Sequence, residues 1–150
     1  MPNIKKLTEN LEKNGFMVSY YETGVEAVKA IAAAVNGKTV GIGGSKTIEA
    51  LGLFEALKDH NSVSWHWKQT SPDANDVSAQ AQVYLTSANG VAETGEIINI
   101  DGTGNRIAAA QYGREKVYII IGVNKIAPDF ESALWRARNI AAPLNAKRLD

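Results

Sequence analysis

The sequence predicts an α/β fold, a sandwich around a mostly parallel sheet. Three observations point there. Strand-like runs alternate with helical ones along most of the chain, the pattern of strands joined by helical crossovers. Residues 117–123 form the most hydrophobic run, as expected of a strand buried on both faces of a parallel sheet. A single antiparallel hairpin, turned at Thr94-Gly95, is placed as an insertion at the rim of that sheet.

Each element has its own justification. Ile4, Leu7 and Leu11 fall at helical spacing, and Asn14-Gly15 ends that helix. Residues 16–21 read as a strand by their aromatic and β-branched content. Thr23 and Glu26 form a capping box, in which each side chain satisfies the other's orphan amide. The Ala-rich helix that follows puts Ala27, Val28, Ile31 and Val35 on one face and stops at Asn36-Gly37. A second strand begins at residues 38–41, is broken by glycines, and gives way to a helical pattern from Thr47.

Residues 62–65 form a short strand, and Ser71-Pro72 supplies an N-cap and first helical residue for a segment reaching residue 82. Residues 83–86 are a strand, 90–93 and 96–100 are the arms of the hairpin, and 106–112 are a helix closed by Gly113. After the strand at 117–123, Pro128 opens a last helix that runs to residue 142, ahead of Pro143.

At 150 residues and 16.1 kDa the chain has the size of one domain. It contains no cysteine, which excludes disulfides, thiolate zinc sites, cysteine-ligated clusters and a cysteine nucleophile within it. Sixteen basic residues balance sixteen acidic ones with no Lys/Arg run, so neither nucleic acid nor an anionic membrane is an expected partner. The longest apolar run is far short of the roughly 20 residues a spanning helix needs. Residues 1–15 lack the apolar core of a secretory signal, and a cytoplasmic setting is expected.

In open α/β sheets ligands bind beyond the carboxyl ends of strands, and three such loops are rich in glycine and polar residues. The first is Gly41-Ile42-Gly43-Gly44-Ser45-Lys46-Thr47. Its small residues let backbone amides face an anion at a helix start, with Gly43, Gly44, Ser45, Lys46 and Thr47 as the binding candidates. It matches neither a phosphate-binding loop, because Ser45 separates Gly44 from Lys46, nor a dinucleotide fingerprint, because position 46 is Lys. A tight strand-to-helix turn is the alternative.

The second runs from Thr86 to Arg106 and concentrates carboxylates, amides and a guanidinium. Asn89, Asn99, Gly102, Thr103, Gly104, Asn105 and Arg106 are candidate ligand-binding residues. Asp101 can orient a polar substrate or act as a base, and Glu93 can serve as base or nucleophile. Equally, Glu93 and Glu96 can be solvated flanks of a hairpin turn, and residues 101–104 a turn with a helix cap. The third loop, Gly122-Val123-Asn124-Lys125, offers Asn124 and Lys125 to an anion, or places Lys125 on the surface. With only His60 and His66 in the chain, no metal site is expected. His66, placed opposite the two indoles of Trp65 and Trp67, reads as a surface or hydrogen-bonded residue, and Trp135 as a core residue of the last helix.

Together these motifs resemble a known family. Val40-Gly41-Ile42-Gly43-Gly44-Ser45, Thr86-Ser87-Ala88-Asn89, the block from Glu96 to Arg106, Gly122-Val123-Asn124-Lys125 and Ala141-Ala142-Pro143-Leu144-Asn145-Ala146-Lys147-Arg148 are similar, in order, to the LUD (lactate utilisation, YkgG-type) domain. The resemblance covers essentially the whole chain. It implies a three-layer α/β/α sandwich of the sugar-phosphate isomerase and CoA-transferase kind. It also implies a part in oxidising lactate to pyruvate beside iron–sulfur partner proteins, and it supplies no established catalytic residue. Two departures stand out: relatives commonly carry a cysteine-bearing tail after the last block, and the stretch between Trp65 and Val83 is shorter than usual.

Removing two electrons from a 2-hydroxy acid needs an acceptor, which cofactors usually provide. Without cluster ligands or a dinucleotide fingerprint, this chain is expected to hold no cofactor and not to oxidise lactate alone. The leading expectation is a non-redox lactate-utilisation component that binds a small anionic or carboxylate ligand. A stand-alone isomerase or acyl-transferase using Glu93 or Asp101, and a binding module for phosphate- or CoA-bearing ligands, stay open. A homodimer is expected only because two-fold homo-oligomers are common.

Overall fold

The computed structural model describes residues 1–149, with side chains to Arg148. The first half holds α1 (Ile4–Lys13), α2 (Gly24–Ala34), β1 (Thr39–Ile42), α3 (Lys46–Leu51), α4 (Leu53–Leu57), β2 (Ser62–Ser64) and α5 (Ala74–Gln80). The second holds β3 (Val83–Thr86), β4 (Gly90–Ala92), β5 (Ile97–Ile98), α6 (Asn105–Gln111), β6 (Lys116–Ile119), β7 (Ile126–Ala127), α7 (Phe130–Arg136) and α8 (Ala142–Leu149). A 3-10 turn, Val123–Lys125, precedes β7, and a π turn, Ala137–Ala141, joins α7 to α8. The chain forms two compact units. One comprises Tyr20–Ser87 and Thr103–Ile120; the other comprises Met1–Ser19, Ala88–Gly102 and the chain from Ile121.

The first unit is built on a four-stranded parallel sheet in the order β2-β1-β3-β6, with Val40 opposite both Val63 and Val83. Alternation along β1 and β3 sends Val40, Ile42, Val83 and Leu85 to one face. There they meet Ile31 and Val35 from the α2 end, Ile48 of α3, Leu53 and Leu57 of α4, and Trp65. Each such fully buried side chain stabilises the fold by about 1.5–3 kcal/mol relative to exposure. The other face takes α5 against β1 and β2, and α6 against β3. Gly41 makes that approach possible, because a β-carbon there would sit 2.1 Å from the Ser78 carbonyl oxygen of α5. Helices on both faces of a parallel sheet make this an α/β/α sandwich.

The hairpin forms as β4 and β5, with Val91 opposite Ile97. Its strand β4 also pairs in parallel with β7, so the hairpin belongs to a three-stranded sheet in the second unit. Helix α7 packs on β4, where a β-carbon on Gly90 would sit 2.6 Å from the Ala133 carbonyl oxygen. The small side chains Ala92, Ala127 and Ala133 fill that contact, with Ile98 against them. Helix α1 buries Leu7 and Leu11.

Several elements differ from their sequence reading. Residues 16–21 form no strand, and nearly all are exposed, so no buried face rewards pairing there. The hydrophobic strand is β6, shorter than predicted and only half-buried, because it lies at the sheet's edge; β3, second from that edge, is the strand buried throughout. Helix α5 starts at Ala74 with Asp73 at its N-cap, since the Ser71 hydroxyl donates instead to the Asp73 carboxylate. The last helix starts at Phe130, capped by Asp129, whose carboxylate accepts the Ser132 amide at 2.8 Å. It continues through Pro143, and the wide π turn lies directly before that residue, which has no amide to give. No helix among the described residues is long and apolar enough to cross a membrane.

Candidate functional site

In the four-stranded unit, β1 ends at Ile42 and the chain leaves the sheet through two glycines. The Gly43 amide donates to the Leu85 carbonyl at 3.0 Å, which holds the loop to β3. Ser45 is buried and caps α3, its hydroxyl accepting the Ile48 amide at 3.2 Å. Thr47 lies half-buried in the first turn. Helix α3 has only six residues, so charge at this loop comes from side chains more than from a helix dipole.

Those side chains converge from three elements. A β-carbon on Gly43 would stand 2.6 Å from the Tyr84 hydroxyl and 2.9 Å from Cγ of Arg106. The missing side chain therefore lets a nearly fully buried Tyr84 from β3 and the Arg106 stem from α6 close on the loop. A β-carbon on Gly44 would lie 3.1 Å from the Trp67 indole. The Lys46 ammonium sits 5.2 Å from the centre of the Trp67 ring and 2.7 Å from the Glu49 carboxylate. Trp67 in turn stacks on the fully buried Trp65 at 5.4 Å. At the start of α6, Gly104 takes φ +79°, and the Thr103 hydroxyl donates to Asn105 Oδ1 at 3.0 Å. Gly43, Gly44, Ser45, Lys46, Thr47 and Arg106 thus form one cluster, with Thr103, Gly104 and Asn105 leading into the helix that carries Arg106. Arginine, lysine and tyrosine side chains gathered at a glycine loop are the kinds of group that bind a small anion.

The remaining candidates belong to the three-stranded unit, because the division between the units falls between Gly102 and Thr103. Asn89 is buried, and its Oδ1 accepts the Ile100 amide at 2.8 Å. The Arg136 guanidinium donates to the carbonyls of Asn89 at 2.5 Å and Asn124 at 3.0 Å. Lys125 is half-buried in the 3-10 turn. Asn99 has a buried Oδ1 with no hydrogen-bond partner among the described residues. Asp101 is half-buried and Gly102 exposed, with open space around it.

Glu93 has its carboxylate held by two partners. It accepts the Asn3 amide at 2.7 Å and lies 3.4 Å from the Lys6 ammonium. Its own amide donates to the Ala127 carbonyl, and its carbonyl accepts from the Asn10 side chain at 2.8 Å. The Asn3 amide, helped by Lys6 and opposed by burial, holds the Glu93 carboxyl below its ordinary value. Both ends of the hairpin turn are tied to α1, since the Asn14 side chain also donates to the Gly95 carbonyl at 3.0 Å.

Tyr84, Trp67 and Arg136 escaped the sequence reading. For Trp67 a signal existed: it follows β2, which neighbours β1, so its loop lies at the same sheet end as the glycines. Among the described residues, no three His, Cys, Asp or Glu side chains are grouped to hold a metal. Residues 4–150 match the LUD domain family. No curated protein and no solved structure matches the chain significantly.

Proposed function

The chain belongs to the LUD domain family, and on that premise we propose that it is a non-redox component of lactate utilisation that binds a small carboxylate anion beside its glycine loop. The observation that carries the reading is Gly43, whose missing side chain admits both the Tyr84 hydroxyl and the Arg106 stem. A guanidinium recognises a carboxylate by two parallel hydrogen bonds, and a phenol adds a third donor. Lys46 contributes positive charge at the rim, steadied over Trp67.

Electron removal belongs to a partner. The chain has no thiolate with which to ligate a cluster, so iron–sulfur proteins that accept the electrons are the natural companions. In this reading the chain itself holds no cofactor and works in the cytoplasm.

The alternative, a stand-alone isomerase or acyl-transferase, would use Glu93 or Asp101. The environment of Glu93 favours the binding reading: an amide and an ammonium already engage its carboxylate and make it a weaker base. A thermal-shift panel of lactate, pyruvate, glycolate, sugar phosphates, nucleotides and CoA esters tests the choice. At a ligand concentration 100 times Kd, binding adds about 2.7 kcal/mol and raises Tm by several degrees. The binding reading expects the small 2-hydroxy and 2-oxo acids to give the shift. A shift confined to phosphate or CoA compounds, with their turnover, would replace it with the enzyme.

A further inference from the structure

The last helix carries an exposed apolar stripe that the ligand-binding reading does not use. Backbone dihedrals stay helical from α7 into α8, with Ala137 and Ala142 both in the right-handed region. Within the π turn the Ala142 amide reaches back five residues to the Ala137 carbonyl. That turn accommodates one extra residue. Side chains four apart share a face elsewhere on the helix, and across this turn the step becomes five. The stripe through Glu131 therefore reads Glu131, Trp135, Ile140, Leu144, Arg148.

All five are exposed, and the three apolar ones are 59%, 40% and 64% accessible, so Trp135 is not the core residue its place in the last helix suggests. The helix buries Ala133 and Ala137 instead, the former against β4. Single exposed apolar residues are ordinary, but three aligned on one helix mark an interaction surface. A shallow groove lined by Glu131, Leu134, Trp135 and Arg138 runs beside the stripe.

The order of charges along the stripe makes it complementary to itself. An acid stands at its start and a base at its end, with Ile140 two turns from each. Two antiparallel copies related by a two-fold axis through Ile140 would set Trp135 of each against Leu144 of the other. The same operation sets Glu131 against Arg148, and each contact occurs twice, as an isologous interface requires. A parallel pairing would instead oppose like charges at both ends. Asn145, one turn before Arg148, accepts its guanidinium at 3.1 Å and steers it along the helix.

We propose that this face is a homodimer interface, occupied by a second copy of the chain in antiparallel register about Ile140. The inference is independent of the ligand reading. A single helix face is small beside a standard interface, so the dimer forms at micromolar concentration.

Sedimentation velocity of the full chain over about 1 to 300 μM reads the equilibrium. The wild type is expected to pass from monomer to dimer across that range. Trp135→Ala should raise Kd at least about tenfold, as for a central aromatic anchor. Glu131→Lys and Arg148→Glu should each weaken the dimer, and the double exchange should restore it, because opposite charges then meet again. Circular dichroism checks that the variants, all at exposed positions, are folded. A wild type that stays monomeric throughout overturns the proposal, including one that instead cosediments with anionic vesicles. A dimer indifferent to Trp135→Ala, or a double exchange no tighter than the single variants, overturns it equally.

Discussion

Gly43 and Tyr84 are bound by space: a β-carbon on the glycine would stand 2.6 Å from the tyrosine hydroxyl, well inside van der Waals contact. Tyr84 is 2% exposed and cannot swing away freely. The loop after β1 is therefore shaped by what its neighbours on β3 and α6 require. Gly43→Ala should destabilise the protein by about 1–3 kcal/mol, as overpacking does, and displace the Arg106 stem. Adding Tyr84→Phe removes the obstructing oxygen and should recover part of that loss in urea denaturation.

Gly41 meets a harder neighbour. Its β-carbon would fall 2.1 Å from a backbone carbonyl of α5, and backbone cannot rotate aside. Gly41→Ala should cost about 3 kcal/mol or more, placing it among severely destabilising substitutions. Denaturant midpoints check this, and a loss below about 1 kcal/mol would mean that α5 shifts readily on the sheet.

Glu93 gives the fold an acid limb. Its folded carboxyl titrates below the ordinary value of 4.5, chiefly through the Asn3 amide. The folded state thus favours the anion, and this stability is fully present above the unfolded value. It is lost as pH falls through the lower, folded value. Glu115 and Asp129 are shifted the same way, so the limb is shared. Melting points measured from pH 6 to pH 3 should fall less steeply for Glu93→Gln, which should already be lower at pH 6. Equal slopes would remove Glu93 from the acid response.

Trp67 covers Gly44 and carries the Lys46 ammonium on its ring. Trp67→Ala should leave the loop less ordered and lower stability by about 2 kcal/mol, less than for a fully buried indole. Hydrogen exchange at the amides of Gly44 and Ser45 should quicken, while Val40 in mid-strand stays protected.

Local chemistry was legible in the sequence and sheet position was not. The Thr23–Glu26 capping box forms as read, with the Glu26 carboxylate accepting the Thr23 amide at 3.0 Å, because both partners lie within one turn. The hairpin at Thr94-Gly95 and the start of α1 are equally local. Residues 116–119 look like a central strand because composition reports hydrophobicity, not rank in the sheet. Residues 16–21 have strand-forming side chains but no partner strand. At the candidate site the glycines and Arg106 were visible as polar or small residues in loops. Tyr84 reads as an ordinary strand residue, and only the three-dimensional register reveals that its hydroxyl ends at Gly43. Pro143 was read as a stop because a preceding π turn leaves no signature in composition.

The proposed ligand of the carboxylate is Arg106, whose stem lies beside Gly43. Titration calorimetry of lactate and pyruvate into the wild type, Arg106→Lys and Arg106→Ala tests it most directly. Saturable binding to the wild type should weaken at least about tenfold in Arg106→Ala, the loss expected when a charge-assisted pair is removed. Arg106→Lys should fall between, since an ammonium keeps the charge and loses the fork. Equal affinities in all three proteins, with unchanged melting points, would exclude Arg106 from carboxylate binding.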